Sequence, residues 1–132
     1  MSEANIRFEE GHFYTRLEIR KVLGGSMQEC LPTKQRKKKV VCACLQKTIN
    51  PYAPDAICCG MQDRIMRTGE ILSSQPEPIP IFIKHKCNKW EYRGMYEVDR
   101  VVTNLEEMTK YSMAENGLLS RVILMKRVKV EK

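Results

Sequence analysis

The sequence predicts an α+β domain in which a curved antiparallel sheet, or a partial β-barrel, packs against two or three short helices. Three observations lead to this fold class. Two apolar strand-like runs flank a polar turn between Pro78 and Val98. Helical patterns occur at 15–23 and 61–74, and the strand-like runs outnumber them. The connections between these runs are mostly short or irregular, which favours antiparallel pairing over long crossovers.

The hairpin between Pro78 and Val98 has the best period-two pattern in the chain. Its first run places the isoleucines on one face and Phe82 on the other. One face of the second run is expected to carry Trp90, Tyr92, Gly94, Tyr96 and Val98. A polar turn with Asn88 at the reversal joins the two runs. Gly94 in mid-strand predicts a bulge, a bend or a close approach to the backbone.

Two helices have recognisable signals. Thr15 and Glu18 form a capping box at the start of a helix over 15–23, and Gly24-Gly25 ends it. The second helix, over 61–74, contains a glycine that weakens it by up to about 1 kcal/mol relative to alanine, so packing must stabilise it.

The rest of the chain completes the sheet. Val40 to Thr48 is apolar with little alternation, so we expect a strand that is buried on both faces. Two prolines make Asn50–Asp55 a rigid loop. Thr103 and Glu106 predict a capped third helix. The closing strand is expected over Leu118 to Val130. Residues 1–10 are expected to be a flexible segment or an edge strand, and 11–132 a single domain.

Composition limits the class of protein. The 132 residues are 42% hydrophobic and 30% charged, as in a soluble globular domain. No run approaches the roughly 18 apolar residues of a membrane span. The N-terminal residues do not resemble a signal peptide, so we expect a cytoplasmic protein with no membrane partner. The six cysteines form no CxxC pair and His12 and His85 are isolated, so we expect free thiols, no metal site and no cofactor.

The net charge of +7 suggests an anionic partner, nucleic acid above all. Five positive charges fall within the six residues Lys34–Lys39. This run is either a phosphate-contacting loop or a solvated turn, and the sequence leaves both interpretations open.

A set of motifs in a fixed order gives the chain a family resemblance. The order begins with Gly11-x-x-Tyr14-Thr-Arg16, a helix and Leu23-Gly-Gly25. A second helix and an apolar strand that ends in Phe82 follow. The order ends with Trp90-x-Tyr92-x-Gly94-x-Tyr96 and a final strand. This order resembles the SRA-like domains of modification-dependent restriction systems, which belong to the PUA superfamily. The resemblance implies a DNA-binding pseudo-barrel. In better-known relatives a methylated cytosine is flipped into an aromatic pocket. The segment Asn50–Asp55 departs from the family pattern.

A base drawn out of the stack needs aromatic faces, polar groups for its pairing edge and cations for the flanking phosphates. The candidate pocket residues are Tyr52, Asp55, Trp90, Tyr92 and Tyr96. The candidate phosphate contacts are Arg36, Lys37, Lys38, Lys84, Lys86, Lys89 and Arg93. Core packing is the alternative explanation for the strand aromatics, and capping of the following turn is the alternative for Asp55.

Nothing in the sequence favours an enzyme. Asp55 follows a proline as in some metal-dependent nucleases, but no later acidic residue is followed two places on by lysine. We therefore expect a nucleic-acid-binding module that favours duplex DNA over RNA, with any chemistry supplied by a separate partner such as a nuclease. The alternatives are a protein-interaction adaptor and an RNA-binding PUA-like domain without base flipping.

Overall fold

The computed structural model describes residues 8–34, 38–112 and 117–128. In chain order its elements are β1 (Phe13–Tyr14), α1 (Arg16–Leu23), β2 (Thr33–Lys34), β3 (Lys39–Val40), β4 (Ala43–Gln46), β5 (Ala56–Gly60), α2 (Asp63–Ser73), β6 (Ile79–Lys86), β7 (Lys89–Val102), α3 (Leu105–Met108) with a 3-10 turn (Thr109–Tyr111), and β8 (Leu119–Arg127). The α+β class and the three helices agree with the sequence prediction.

The main sheet has six strands in the order β4-β6-β7-β8-β5, with β1 also paired to β7. β4 runs parallel to β6, and the other pairs are antiparallel, so the sheet is mixed rather than wholly antiparallel. The end strands β4 and β5 do not pair with each other in the described part of the chain, so the sheet does not close into a barrel. β2 and β3 form a separate two-stranded ribbon.

The start of α1 confirms the predicted capping box. The Thr15 hydroxyl accepts from the Glu18 N–H at 3.1 Å, and the Glu18 carboxylate accepts from the Thr15 N–H at 2.9 Å. Gly24, at φ +83°, ends the helix. The turn between β6 and β7 also touches this helix, because the Asn88 side-chain oxygen accepts from the Arg16 N–H at 3.0 Å. This hydrogen bond thus joins the reversal of the hairpin to the first residue of α1.

A bulge in β7 changes which side chains share a face. Ile81 pairs with Gly94 but Phe82 pairs with Tyr92, so Arg93 is an extra residue in β7. An extra residue shifts every following side chain to the opposite face. The prediction that Tyr92 and Tyr96 share a face is therefore wrong: Tyr92 packs with Phe82, and Tyr96 packs with the isoleucines of β6 in the other core cluster. The predicted irregularity at Gly94, which has φ +108°, is confirmed.

Three further boundaries differ from the prediction. The strand expected over 40–48 is divided into β3, which pairs with β2, and β4, which pairs with β6; the bond from the Val41 N–H to the Pro32 carbonyl, 2.8 Å, continues the β2–β3 ribbon. The cap of α3 lies one residue later than expected, where Asn104 accepts from the Glu107 N–H at 3.1 Å. The last strand spans Leu119–Arg127, so the predicted ends Leu118 and Val128 lie outside it, and positions 129–130 are beyond the described residues.

The second helix, α2, packs on the sheet through its glycine. A Cβ at Gly69 would lie 2.9 Å from the Cys59 Sγ on β5, so the missing side chain permits a close approach of helix and strand. Gln75, just beyond α2, accepts from the Val40 N–H at 2.9 Å and donates to the Val40 carbonyl at 3.0 Å. Neither α2 nor any other described helix has the length and apolar content to cross a membrane.

Candidate functional site

A cavity of about 580 Å³ opens between the segment after α1, the end of β4, the β5–α2 turn and the residue that precedes β8. Two of its lining residues, Arg16 and Lys84, are cationic, and none is acidic. Trp90 of β7 forms part of its wall. The cavity therefore combines positive charge with an aromatic ring, which suits an anionic ligand that carries a ring system.

Trp90 is held between cations. The Arg16 guanidinium carbon lies 5.1 Å from the ring centroid and the Lys84 Nζ lies 5.7 Å from it. Arg16 also donates to the carbonyls of Ser26 and Glu29, at 2.9 and 2.8 Å. The indole Nε1 is buried and has no hydrogen-bond partner among the described residues. A buried donor without a partner is costly, so this N–H is an unsatisfied polar group in a residue that lines the cavity.

Amide side chains supply most of the neutral polar groups of the cavity. Gln28, Gln46 and Gln62 line it and are exposed, so each offers one acceptor and two donor positions. Asn50 also lines it but is buried, and its side-chain oxygen accepts from the Cys58 N–H at 2.7 Å. An amide-rich wall can recognise the mixed donor and acceptor edge of a heterocyclic base.

Three thiols line the same cavity. Burial raises the pKa of Cys58 to about 11, and burial together with the nearby Cys44 raises the pKa of Cys30 to about 11. All six cysteines are free, as predicted. Cys30 and Cys58 are thus protonated at neutral pH and act as small apolar groups rather than as nucleophiles. Within the described ranges, no three His, Cys, Asp or Glu side chains are placed to hold a metal ion.

The predicted pocket aromatics lie in different places. Trp90 alone lines the cavity. Tyr92 and Tyr96 are buried on opposite faces of the sheet, and burial raises the pKa of both hydroxyls. Tyr52 is 47% exposed and outside the cavity; its ring packs edge-on against Tyr111 at 5.2 Å and its hydroxyl donates to the Lys110 carbonyl at 3.2 Å.

Asp55 is held by its backbone. Its N–H donates to the Tyr52 carbonyl at 3.0 Å, and its carbonyl accepts from the Met125 N–H at 2.8 Å. Asp55 is exposed, and it does not line the cavity. Asp55 thus connects the proline loop to β8.

The predicted phosphate contacts are divided between two regions. Lys84 lines the cavity, and Lys86 and Lys89 face solvent at the hairpin end nearby. Arg93, half-buried, lies 3.9 Å from the Glu91 carboxylate. Lys38 lies elsewhere, in the cleft between the β2–β3 ribbon and α2. Arg36 and Lys37 lie outside the described residues.

The main residue that the sequence analysis did not identify as functional is Arg16. Its local signals were its place directly after the cap of α1 and at the end of the Gly11-x-x-Tyr14-Thr-Arg16 motif, and neither indicated a role in a cavity. The cavity glutamines were missed for a different reason. They come from three separate loops and strand ends, and no spacing in the sequence links them.

Comparison with known proteins supports the fold. The crystal structure of KRYPTONITE in complex with mCHG DNA and SAH matches with a TM-score of 0.61 and 13% sequence identity. The match covers 95% of this chain and 33% of that one, so this chain spans about a third of the length of its structural neighbour. At this identity the likeness concerns the fold alone, and it is consistent with the SRA-like fold expected from the sequence.

A search among curated proteins finds no match. The profile of DUF6697, described as a domain of unknown function, matches residues 13–119. This range includes β1 to β7, all three helices and every lining residue of the cavity, and it ends at the first residue of β8. The chain belongs to the DUF6697 family.

Proposed function

We propose that this chain is a nucleic-acid-binding module that reads duplex DNA and accepts a modified base in the cavity beside Trp90. The observation that carries the proposal is the cavity wall, in which Arg16 and Lys84 lie over a buried indole and no acidic residue is present. The fold adds support, because a protein of similar fold was solved in complex with mCHG DNA.

The cavity has the groups that an extruded base requires. Its exposed amide side chains, Gln28, Gln46 and Gln62, pair with donors and acceptors at the base edge. The thiols of Cys44 and Cys58 offer a polarisable, apolar surface to a methyl group. Because both cations lie over the Trp90 ring, the base meets the tryptophan at its edge or replaces one cation over the face.

The cations at the hairpin end hold the DNA backbone beside the cavity. Lys84 and Lys86 lie at the end of β6, Lys89 pairs with Lys86 across the turn, and each phosphate that they neutralise releases counterions. Arg93, Arg36 and Lys37 are further candidate phosphate contacts, and Lys38 is a candidate in the separate cleft between the β2–β3 ribbon and α2. Tyr52 and Asp55 contact nucleotides that flank the extruded one, while Tyr92 and Tyr96 support the site through packing. The chain itself carries out no reaction in this proposal, and a partner supplies any chemistry.

Trp90 is the single tryptophan of the chain, so its fluorescence reports directly on the cavity. The test is a salt-titrated comparison of methylated DNA, unmethylated DNA and RNA of one sequence. We expect DNA to change the Trp90 emission, methylated DNA to bind more tightly than the unmethylated duplex, and affinity to fall with a slope of about −0.9 per phosphate contacted.

Matched variants complete the test. Lys84→Gln should reduce the salt slope by about one unit. Lys126→Gln should leave the slope unchanged, because Lys126 lies outside the cavity beside Glu97 and Asp99. An unchanged Trp90 emission with every nucleic acid would overturn the proposal. Tighter binding to RNA would favour the RNA-binding alternative, and a salt-indifferent complex with a protein would favour the adaptor.

A further inference from the structure

An exposed pair of aromatic rings lies at the end of the β6–β7 hairpin, outside the cavity. Phe13 of β1 is 51% exposed, whereas Phe8 and Phe82, the other phenylalanines of the chain, are buried. The Phe13 ring meets the ring of His85 edge to face, with the centroids 5.2 Å apart. We call Phe13 and His85 together the Phe13 platform. Neither residue lines the cavity.

The strand register places the Phe13 platform and Trp90 on opposite faces of the sheet. Phe13 pairs with Glu91, and Tyr14 pairs with Trp90. Directly paired residues share a face and successive residues alternate, so Phe13 and Glu91 lie on the face opposite to Tyr14 and Trp90. The hairpin end therefore separates two aromatic sites, one buried beside the cavity and one open to solvent.

The His85 ring is anchored beside Phe13. Its Nε2 lies 2.6 Å from the Glu91 Oε1, and the Arg93 Nη1 lies 3.9 Å from the same oxygen. The His85 side chain nevertheless remains 46% exposed. One exposed apolar side chain is normal on a protein surface. A ring that packs on a second, anchored ring is preorganised, so it loses little conformational freedom when a ligand stacks on it.

The charge around the Phe13 platform favours nucleic acid as the ligand. Between positions 84 and 93 the chain has four cationic side chains and one carboxylate, Glu91, which already contacts His85 and Arg93. Residues 85–89 are all exposed and none has a large apolar side chain, so the turn offers no broad apolar patch to a protein. An exposed ring beside cations is suited to an unpaired base, which stacks through its face while its phosphates meet the cations.

We propose that the Phe13 platform stacks an unpaired base of a single-stranded DNA segment that continues from the bound duplex around the hairpin end. This inference rests on the proposed function. The duplex lies at the cavity on the Trp90 face, Lys86 and Lys89 in the turn hold the backbone, and a base beyond the turn reaches Phe13. The chain therefore prefers a duplex that adjoins single-stranded DNA to a duplex with blunt ends.

The experiment measures the affinity of the chain for dye-labelled DNA by fluorescence anisotropy. The ligands are a blunt methylated duplex, the same duplex with thymine overhangs of increasing length on either strand, and the same overhangs without bases. Phe13→Ala removes the ring, Phe13→Leu keeps an apolar side chain without a flat face, and Phe13→Tyr keeps the ring. The control is Leu105→Ala, at a leucine of α3 that is 78% exposed. Unchanged melting temperatures establish that the variants fold, and the abasic overhangs test the same contact with the wild-type chain.

Stacking on Phe13 predicts a gain that depends on both the ring and the base. We expect the wild-type chain to bind the best overhang duplex about tenfold more tightly than the blunt duplex, and the abasic overhang to give less than about a threefold gain. Phe13→Ala and Phe13→Leu should lose the base-dependent gain but bind the blunt duplex within about twofold of the wild-type chain, because Phe13 lies outside the cavity. Phe13→Tyr and Leu105→Ala should keep the whole gain.

Other outcomes separate the two proposals. If no overhang raises the affinity, if the abasic overhang raises it equally, or if Phe13→Leu matches the wild-type chain, the stacking proposal is wrong while the DNA-reader function stands. If the wild-type chain binds none of these DNAs, the proposed function fails and the stacking proposal fails with it. A salt-indifferent protein complex that Phe13→Ala loses would assign the platform to a protein interface and overturn the stacking proposal.

Discussion

Arg16 lies over the indole ring of Trp90, with its guanidinium carbon 5.1 Å from the ring centroid. The same guanidinium donates to the carbonyls of Ser26 and Glu29. Arg16 at the start of α1 therefore contacts both Trp90 in the cavity wall and the segment after α1, which also lines the cavity.

Replacing Arg16 by glutamine should lower the free energy of unfolding by about 2 kcal/mol, because hydrogen bonds from a charged donor and a cation–π contact are lost. Arg16→Lys keeps the charge but lacks the planar fork that reaches both carbonyls, so it should recover only part of the loss. Urea unfolding followed by Trp90 fluorescence measures both values.

The control is Arg20→Gln, on the same helix and exposed, which should change the free energy of unfolding by less than about 0.5 kcal/mol. An Arg16→Lys variant as stable as the wild-type chain would show that the two carbonyl contacts contribute nothing.

Glycine is required at position 94 by the backbone conformation there and by a neighbouring side chain. Its φ is +108°, and an added Cβ would lie 3.2 Å from the carboxyl carbon of Glu10, which is ion-paired with Arg127. Gly94→Ala should therefore destabilise the chain by about 2 kcal/mol, measured by thermal or urea unfolding.

Gly11→Ala separates the two causes. Gly11 also has a positive φ, of +85°, but nothing lies within 4 Å of its added Cβ, so only the backbone cost of about 1 kcal/mol applies. If the two alanine variants lose equal stability, the contact with Glu10 has no energetic importance.

The change in stability caused by Gly69→Ala should have the opposite sign from that of an ordinary glycine-to-alanine substitution in a helix. Alanine in a helix interior is normally worth about 1 kcal/mol relative to glycine. Here the new methyl group would lie 2.9 Å from the buried Cys59 Sγ, and such overpacking typically costs about 1–3 kcal/mol. We expect a net loss of stability in urea unfolding.

A double-mutant cycle tests this explanation. In a Cys59→Ala background the sulfur is absent, so Gly69→Ala should stabilise the chain relative to Cys59→Ala alone. A loss in both backgrounds would mean that the helix–strand distance is not set by this sulfur.

Local signals in the sequence predicted the features that depend on neighbours along the chain. The Thr15–Glu18 capping box, the reversal at Asn88 and the irregularity at Gly94 are all present. Each depends on residues a few places apart, where spacing determines geometry.

Features that depend on distant contacts were not predictable in this way. The bulge at Arg93 transfers Tyr96 to the other face, and a period-two pattern carries no information about where an extra residue stands. The cavity likewise joins Arg16 on α1 to Trp90 on β7. The pairing of β1 with β7, which sets Tyr14 opposite Trp90, and the docking of Asn88 on the helix bring them together. Trp90 and Lys84 were identified as candidates, whereas Arg16 appeared only as the last residue of the Gly11-x-x-Tyr14-Thr-Arg16 motif, without a role of its own.

Buried thiols should make the chain sensitive to alkali. Burial raises the pKa of Cys58 from 9.0 to about 11 and that of Cys59 from 9.0 to about 12, with a smaller contribution to Cys59 from Cys30. Between pH 9 and 12 the unfolded chain therefore binds fewer protons than the folded chain, and the free energy of unfolding falls as the pH rises. The stabilisation is complete below pH 9 and is lost as the pH passes through the folded-state values.

Urea unfolding at a series of pH values from neutral to alkaline measures this slope. Cys58→Ala removes one titrating group, so its stability should fall less steeply above pH 9 than that of the wild-type chain. Cys87→Ala is the control, because Cys87 is exposed in the β6–β7 turn and its replacement should leave the slope unchanged. Stability that stays constant up to pH 11 would mean that Cys58 ionises equally well in both states, and the apolar character assigned to the cavity wall would then be wrong.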